Sequence, residues 1–188
     1  MTEPVRTRGI NHLALVCRDM ARTVEFYTTI LGMPLVKTIE LPEEMGQHFF
    51  FDCGGGATIA FFWFPDAPEP APGLAMPQGL PDRTSMLSAI GSMNHVALDV
   101  GAGEIDDMCQ RLRAAGVETT EIWNHDDSPW GLAAGPDDNG VFVRSVYFQD
   151  PDGILLELAA WTRELGPNDV AHVPATAAGR HGDQGVSA

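Results

Sequence analysis

Gly9-Ile10-Asn11-His12-Leu13-Ala14-Leu15-Val16 is answered by Ser92-Met93-Asn94-His95-Val96-Ala97-Leu98-Asp99. Each stretch sets Asn-His ahead of an apolar run. A histidine in a half-buried strand is unusual, and two at matching points of a repeat suggest one shared site. His12 and His95 are therefore the first candidate metal ligands. The residues after each stretch repeat as well. Beyond His12–Val16, Asp19 can cap a helix over Met20–Leu31 that sets Met20, Val24, Tyr27 and Leu31 on one face, with Gly32 as its stop. Beyond Asn94–Val100, a helix is expected over Glu104–Ala115 with Ile105, Met108, Leu112 and Ala115 on one face, stopped by Gly116. The His-to-Gly separations differ by a single residue. Further strands are expected at Leu35–Leu41, Gln47–Asp52 and Thr58–Phe64, and at Val117–Trp123, Val141–Gln149 and Ile154–Ala160. The pattern is a duplicated βαβββ unit.

The expected fold class is α+β: tandem βαβββ modules whose strands form a curled mixed sheet around a metal site. Residues 1–65 hold the first module and 92–161 the second. Residues 66–91, rich in Pro, Ala and Gly, are a linker long enough to be either a tether or a cover over the site. Residues 162–188 turn small and polar and read as a flexible tail, with His172 and His181 solvated there.

Composition narrows the function. The 188 residues are 44% hydrophobic, enough to bury a core, and carry a net charge of −15. An acidic surface disfavours nucleic acid and anionic membranes and reads as soluble and self-repelling; the small-molecule substrate expected as partner comes from the candidate site, not from the charge. Cys17, Cys53 and Cys109 form no CxxC pair and read as reduced thiols of a cytosolic protein. The polar Met1–Arg8 predicts no signal peptide. The longest apolar stretch, Ala57–Phe64, is too short to span a bilayer.

Glu157 lies in Ile154-Leu155-Leu156-Glu157-Leu158-Ala159-Ala160. A carboxylate in so apolar a strand faces solvent or is compensated by a cation. With two strand histidines it completes a 2-His-1-carboxylate set, which leaves metal positions open.

The duplicated unit, its Asn-His openings and the closing Asp150-Pro151-Asp152-Gly153-Ile154-Leu155-Leu156-Glu157-Leu158 resemble the vicinal oxygen chelate superfamily. That group holds glyoxalase I, fosfomycin-resistance enzymes, bleomycin-binding proteins and extradiol dioxygenases. The resemblance spans roughly Arg8 to Trp161. It implies His12, His95 and Glu157 as metal ligands. Aligning Gly56 with Gly153 puts Ala60 where a fourth ligand would stand, which resembles the three-ligand branch. Tyr147, ten residues before Glu157, is similar to the tyrosine that hydrogen-bonds substrate in extradiol dioxygenases. Two further histidines of those enzymes are missing: their places fall near Ala57 and in Asp137-Asp138-Asn139-Gly140. His125, in a loop with Asp126 and Asp127, is a candidate substitute for proton transfer.

Pairing Asp52 with Asp150 sets Phe49 opposite Tyr147 and turns His48 away from the site, although a one-residue slip would turn it inward. Phe49, Phe51, Phe61, Trp63 and Trp130 are candidates for an apolar pocket. The resulting expectation is a metal-dependent extradiol-type dioxygenase acting on a substrate with adjacent oxygens. Fe(II) is the expected metal, with Zn, Mn or Ni as alternatives. Tyr147 orients the substrate and His125 shuttles protons. The alternatives are a lyase, isomerase or thiol transferase using a Lewis-acid metal, and a non-catalytic binding protein. Related proteins often dimerise, so a homodimer is the expected assembly.

Overall fold

The computed structural model describes residues 7–138, 140–170 and 172–175. The first module runs β1 (His12–Cys17), α1 (Met20–Glu25), β2 (Leu35–Glu40), β3 (Gln47–Asp52) and β4 (Thr58–Trp63). The second runs β5 (Val96–Asp99), α2 (Ile105–Ala114), β6 (Trp123–His125), β7 (Val143–Gln149) and β8 (Leu155–Trp161). Each module is one four-stranded sheet, in the orders β1-β4-β3-β2 and β5-β8-β7-β6. The first strand of each lies parallel to the last, and the other pairs are antiparallel. The duplication read from Asn-His is thus a duplication of topology.

The helix starts and stops follow their chemistry. Asp19 Oδ1 accepts from the backbone N–H of Ala21 and Arg22, capping α1. Gly32 and Gly116 both sit at positive φ, +70° and +81°, where a side chain would be strained. The first helix differs from expectation in its second half: Phe26–Ile30 widens to π spacing, with Leu31 N–H bonded to Phe26 O at 3.1 Å. Thr28 Oγ1 donates to Val24 O at 2.6 Å, occupying a carbonyl of the α ladder.

The expected strand over Val117–Trp123 is replaced by a short one, β6. Thr120 explains the interruption. Its N–H donates to Tyr147 O at 2.9 Å and its Oγ1 accepts from Tyr147 N–H at 3.0 Å. A side chain thereby takes a bond that a strand backbone would make.

One face of each sheet packs on the helices. Cys17, Tyr27, Phe51, Phe61, Ile105, Leu112, Phe148 and Leu156 belong to one continuous core drawn from both modules. Each large side chain so buried stabilises the fold by about 1.5–3 kcal/mol. Phe51 and Phe61 lie here beside Tyr27, and Trp130 is exposed, so these aromatics do not form the pocket expected of them. Alternation decides it: Phe51 and Phe61 occupy strand positions opposite in parity to His12. Two polar contacts tie the modules together. Tyr27 OH donates to Asp150 Oδ2 at 3.3 Å, and Arg18 N–H donates to Asp152 Oδ2 at 3.0 Å.

All three cysteines are free thiols. Among the described residues, no helix is long and apolar enough to cross a membrane. His172 is exposed, and His181 lies outside the described residues.

Candidate metal centre

The second sheet builds the site from four adjacent strands. Glu157 on β8 stands opposite Ala97 on β5 and Tyr147 on β7. Trp123 and His125 on β6 stand opposite Ser145 and Val143. Directly paired residues share a face, so His125, Trp123, Ser145, Tyr147 and Glu157 all face one way. His95, just ahead of β5, joins them: its Nε2 is 2.9 Å from Glu157 Oε2. The His95 and Tyr147 rings meet edge to face, with centroids 5.7 Å apart, and the Trp123 ring lies 5.5 Å from Tyr147.

The repeated asparagine now has a reason. Asn94 Oδ1 lies 2.8 Å from His95 Nδ1, and Asn11 Oδ1 lies 2.8 Å from His12 Nδ1. A carboxamide oxygen only accepts, so Nδ1 carries a proton and Nε2 is left to present its lone pair. At His95 that lone pair faces a carboxylate oxygen, so two acceptors are in contact. A cation must stand between them, either a second ring proton or a metal ion. The donor set therefore fits a divalent metal.

Burial pushes the Glu157 carboxyl up. The hydrogen bond with His95, the Ser145 hydroxyl and the charges of His95 and His125 more than offset it, holding the group below its ordinary value. Ser145 Oγ is near enough to bias Glu157 but makes no geometrically good hydrogen bond of its own. Burial first, then the Glu157 charge, raises Tyr147 to about 12, so its phenol stays protonated and can donate.

His125 ends β6 rather than lying in a free loop, and its carboxylate neighbours are engaged elsewhere. Asp126 accepts from Ser128 Oγ at 2.6 Å, and Asp127 lies 3.7 Å from Arg163. What His125 contributes is position: it stacks edge-on to Trp123 at 6.1 Å and faces the Glu157 side.

His12 occupies the equivalent place in the first sheet, opposite Thr58, and is exposed. Ala60 stands opposite Phe50 as Glu157 stands opposite Tyr147, so the first module has no carboxylate there. Among the described residues, no three His, Cys, Asp or Glu side chains lie close enough to hold one metal ion. Within one chain, His95 and Glu157 come together and His12 stays on the other sheet.

Sequence reasoning misplaced His48. It pairs with Phe62, four positions from the Thr58 that pairs with His12, so the two histidines share a face. The Gly56–Gly153 alignment already contained this, because it makes Cys53, not Asp52, the counterpart of Asp150. Phe50, not Phe49, consequently stands in the place of Tyr147.

Part of the linker packs on this face. Leu80, with Met86 beside it, packs on Tyr147, Leu155 and Trp123. Asn94 Nδ2 also donates to Met86 O at 2.6 Å, pinning this segment to the residue that orients His95. A separate cavity of about 490 Å³ lies away from these residues, between Leu15, Trp63, Phe64, Met76 and Met93.

The family pattern described as Glyoxalase/Bleomycin resistance protein/Dioxygenase superfamily matches residues 9–158. Lactoylglutathione lyase of Escherichia coli O157:H7 is 29% identical over 147 residues, which is 78% of this chain and 88% of that protein. The putative ring-cleaving dioxygenase MhqE of Bacillus subtilis is 24% identical over 191 residues, 93% of this chain and 63% of that protein. The fosfomycin resistance protein FosX of Listeria monocytogenes, solved with Mn(II) and sulfate, superposes with a TM-score of 0.52 at 21% identity, covering 84% of this chain and 95% of that one.

Proposed function

The chain belongs to the Glyoxalase/Bleomycin resistance protein/Dioxygenase superfamily, and on that premise we propose a metal-dependent enzyme whose substrate chelates through adjacent oxygens. His12, His95 and Glu157 are the ligands. The observation that carries this reading is the 2.9 Å contact of His95 Nε2 with Glu157 Oε2, where two acceptors need a cation between them. A divalent metal there would supply Lewis-acid chemistry and, as Fe(II), the capacity to bind dioxygen beside the substrate.

The leading activity is extradiol-type ring cleavage. Tyr147 supports it: its phenol is held protonated, 5.7 Å from the His95 ring, where it can donate to a substrate oxygen. His125, on the same face, takes up and returns the substrate proton. Leu80 and Met86 keep water from the Tyr147 side.

A lyase or isomerase is the second reading. Ala57 and the segment before Gly140 lack the two histidines of the dioxygenases, and the similarity to lactoylglutathione lyases favours chemistry with Zn, Mn or Ni. The assembly is a homodimer in which the exposed His12 of one copy meets His95 and Glu157 of the other.

Metal analysis with oxygen uptake tests the set. We expect about one metal per chain, and oxygen consumption by the Fe(II) form on a panel of catechols. Anaerobic turnover of a 2-oxoaldehyde–thiol adduct by the Zn, Mn or Ni forms, with no uptake on any diol, would replace the dioxygenase with the lyase. Failure of every metal to bind would remove both.

A further inference from the structure

The cavity of about 490 Å³ lies at the junction of the two modules. Arg18 follows β1, Trp63 ends β4, Met93 precedes β5 and Ile154 precedes β8, and all four line it. The start of the connector, through Pro68 and Met76, supplies the remaining wall. None of His12, His95 and Glu157 lines it. Its volume falls within the range of about 300–1,000 Å³ that small-molecule sites occupy.

The wall is mostly apolar, and its charges gather at one point. Arg18 holds both carboxylate oxygens of Glu69, at 3.1 and 2.5 Å. The Arg18 backbone N–H donates to Asp152 Oδ2 at 3.0 Å. Among the described residues, no salt bridge is made to Asp152. Two carboxylates thus share one guanidinium, and the wall carries one negative charge in surplus. Glu69 first, and Asp152 after it, hold the guanidinium pKa above its ordinary value. Beside these charges stands an indole. Trp63 Nε1 donates to Arg18 O at 3.1 Å, which spends its N–H and fixes the ring at the wall. The side chains of Arg18 and Glu69 are 52% and 78% exposed, so their ion pair marks the mouth, and an exposed pair of this kind opens readily.

We infer that this cavity binds a small apolar molecule ending in a protonated amine, with the apolar body against Met76, Met93 and Ile154 and the ammonium between Asp152 and the Trp63 ring. An ammonium supplies the positive charge that the wall lacks, and an aromatic face attracts a cation within about 6 Å. Low-dielectric walls concentrate the field of the surplus carboxylate, so an anion is repelled and a neutral molecule gains nothing from it. The site is separate from the metal centre and does not depend on it.

Three probes of one shape and different charge test this: cyclohexylmethylamine, cyclohexylmethanol and cyclohexanecarboxylate, titrated calorimetrically into the full chain at neutral pH. Salt of about 0.15 M screens charges more than roughly 8 Å away, which suppresses loose attraction to the acidic surface. The amine is expected to bind about tenfold tighter than the alcohol, with no binding of the carboxylate. Asp152→Asn keeps an acceptor for the Arg18 N–H and removes the charge. It should bring amine and alcohol within about twofold of each other, whereas attraction to the surface at large would survive the loss of one charge. Ala67→Phe, which fills the cavity from the connector, should abolish binding of both. Trp63 fluorescence gives a second readout: the amine should shift the emission of the parent and not that of Trp63→Phe. An alcohol that binds as tightly as the amine, a preference that survives Asp152→Asn, amine binding undiminished in a folded Ala67→Phe, or no binding of any probe overturns the inference.

Discussion

Asn94 uses both ends of its carboxamide. Oδ1 takes the Nδ1 proton of His95 at 2.8 Å, and Nδ2 holds Met86 O at 2.6 Å. It fixes which nitrogen of His95 is free, and it anchors that choice to the cover over Tyr147. Asn94→Ala should therefore weaken metal affinity about 10–100-fold while leaving His95 and Glu157 in place. Competition against a chromophoric chelator measures this, and an unchanged affinity would show that the asparagine does not orient its neighbour. The Asn-His pair was legible in the sequence because it repeats. Its division of labour was not, because composition and spacing say nothing about which way a carboxamide turns.

The turn between β7 and β8 is the element that joins the modules. Asp150 Oδ1 accepts from Asp152 N–H and Ile154 N–H, both at 2.9 Å, while Oδ2 receives Tyr27 OH from the first module. Burial, partly offset by those two backbone bonds, raises Asp150 from 3.8 to about 6. A carboxyl raised on folding contributes fully to stability below its unfolded value, and that contribution is lost as pH rises through about 6. The wild-type stability relative to Asp150→Asn should thus fall by about 2 kcal/mol between pH 4 and pH 8. Urea unfolding of both proteins across that range checks it, and a flat difference would mean that Asp150 titrates normally. The same turn explains why His48 was misread. Asp52 and Asp150 look equivalent, but Asp52 closes β3 while Asp150 opens the turn after β7. A slip of one residue inverts every side chain of a strand, which is why alternation found β3 and still put His48 on the wrong face. Helices and most strands were legible because their periodicity is local. The break at Thr120 was not, since it depends on a hydroxyl bonding to Tyr147, far away in sequence.

At the scale of the molecule, the two sheets share a core through their helices but do not bring all three candidate ligands together. In the proposed homodimer, a closed site would draw His12 from one copy and His95 with Glu157 from another, and a two-fold dimer would hold two such sites. Refolding an equal mixture of His12→Ala and Glu157→Gln chains, each inactive alone, should restore about a quarter of wild-type activity, because half of the dimers are mixed and each has one intact site. No recovery would place all three ligands in one chain. The three candidate ligands were readable from the sequence, whereas their placement on two different sheets was not, because it depends on how the modules pack. The cover over Tyr147 is at the same time the connector between the modules, since both Leu80 and Met86 belong to it. Connecting segments tolerate insertion and replacement better than strands do. Variation confined to this stretch could therefore reshape what the site admits while the ligands and the fold stay fixed, so that in descendants of this chain new substrates could arise from changes in the connector alone.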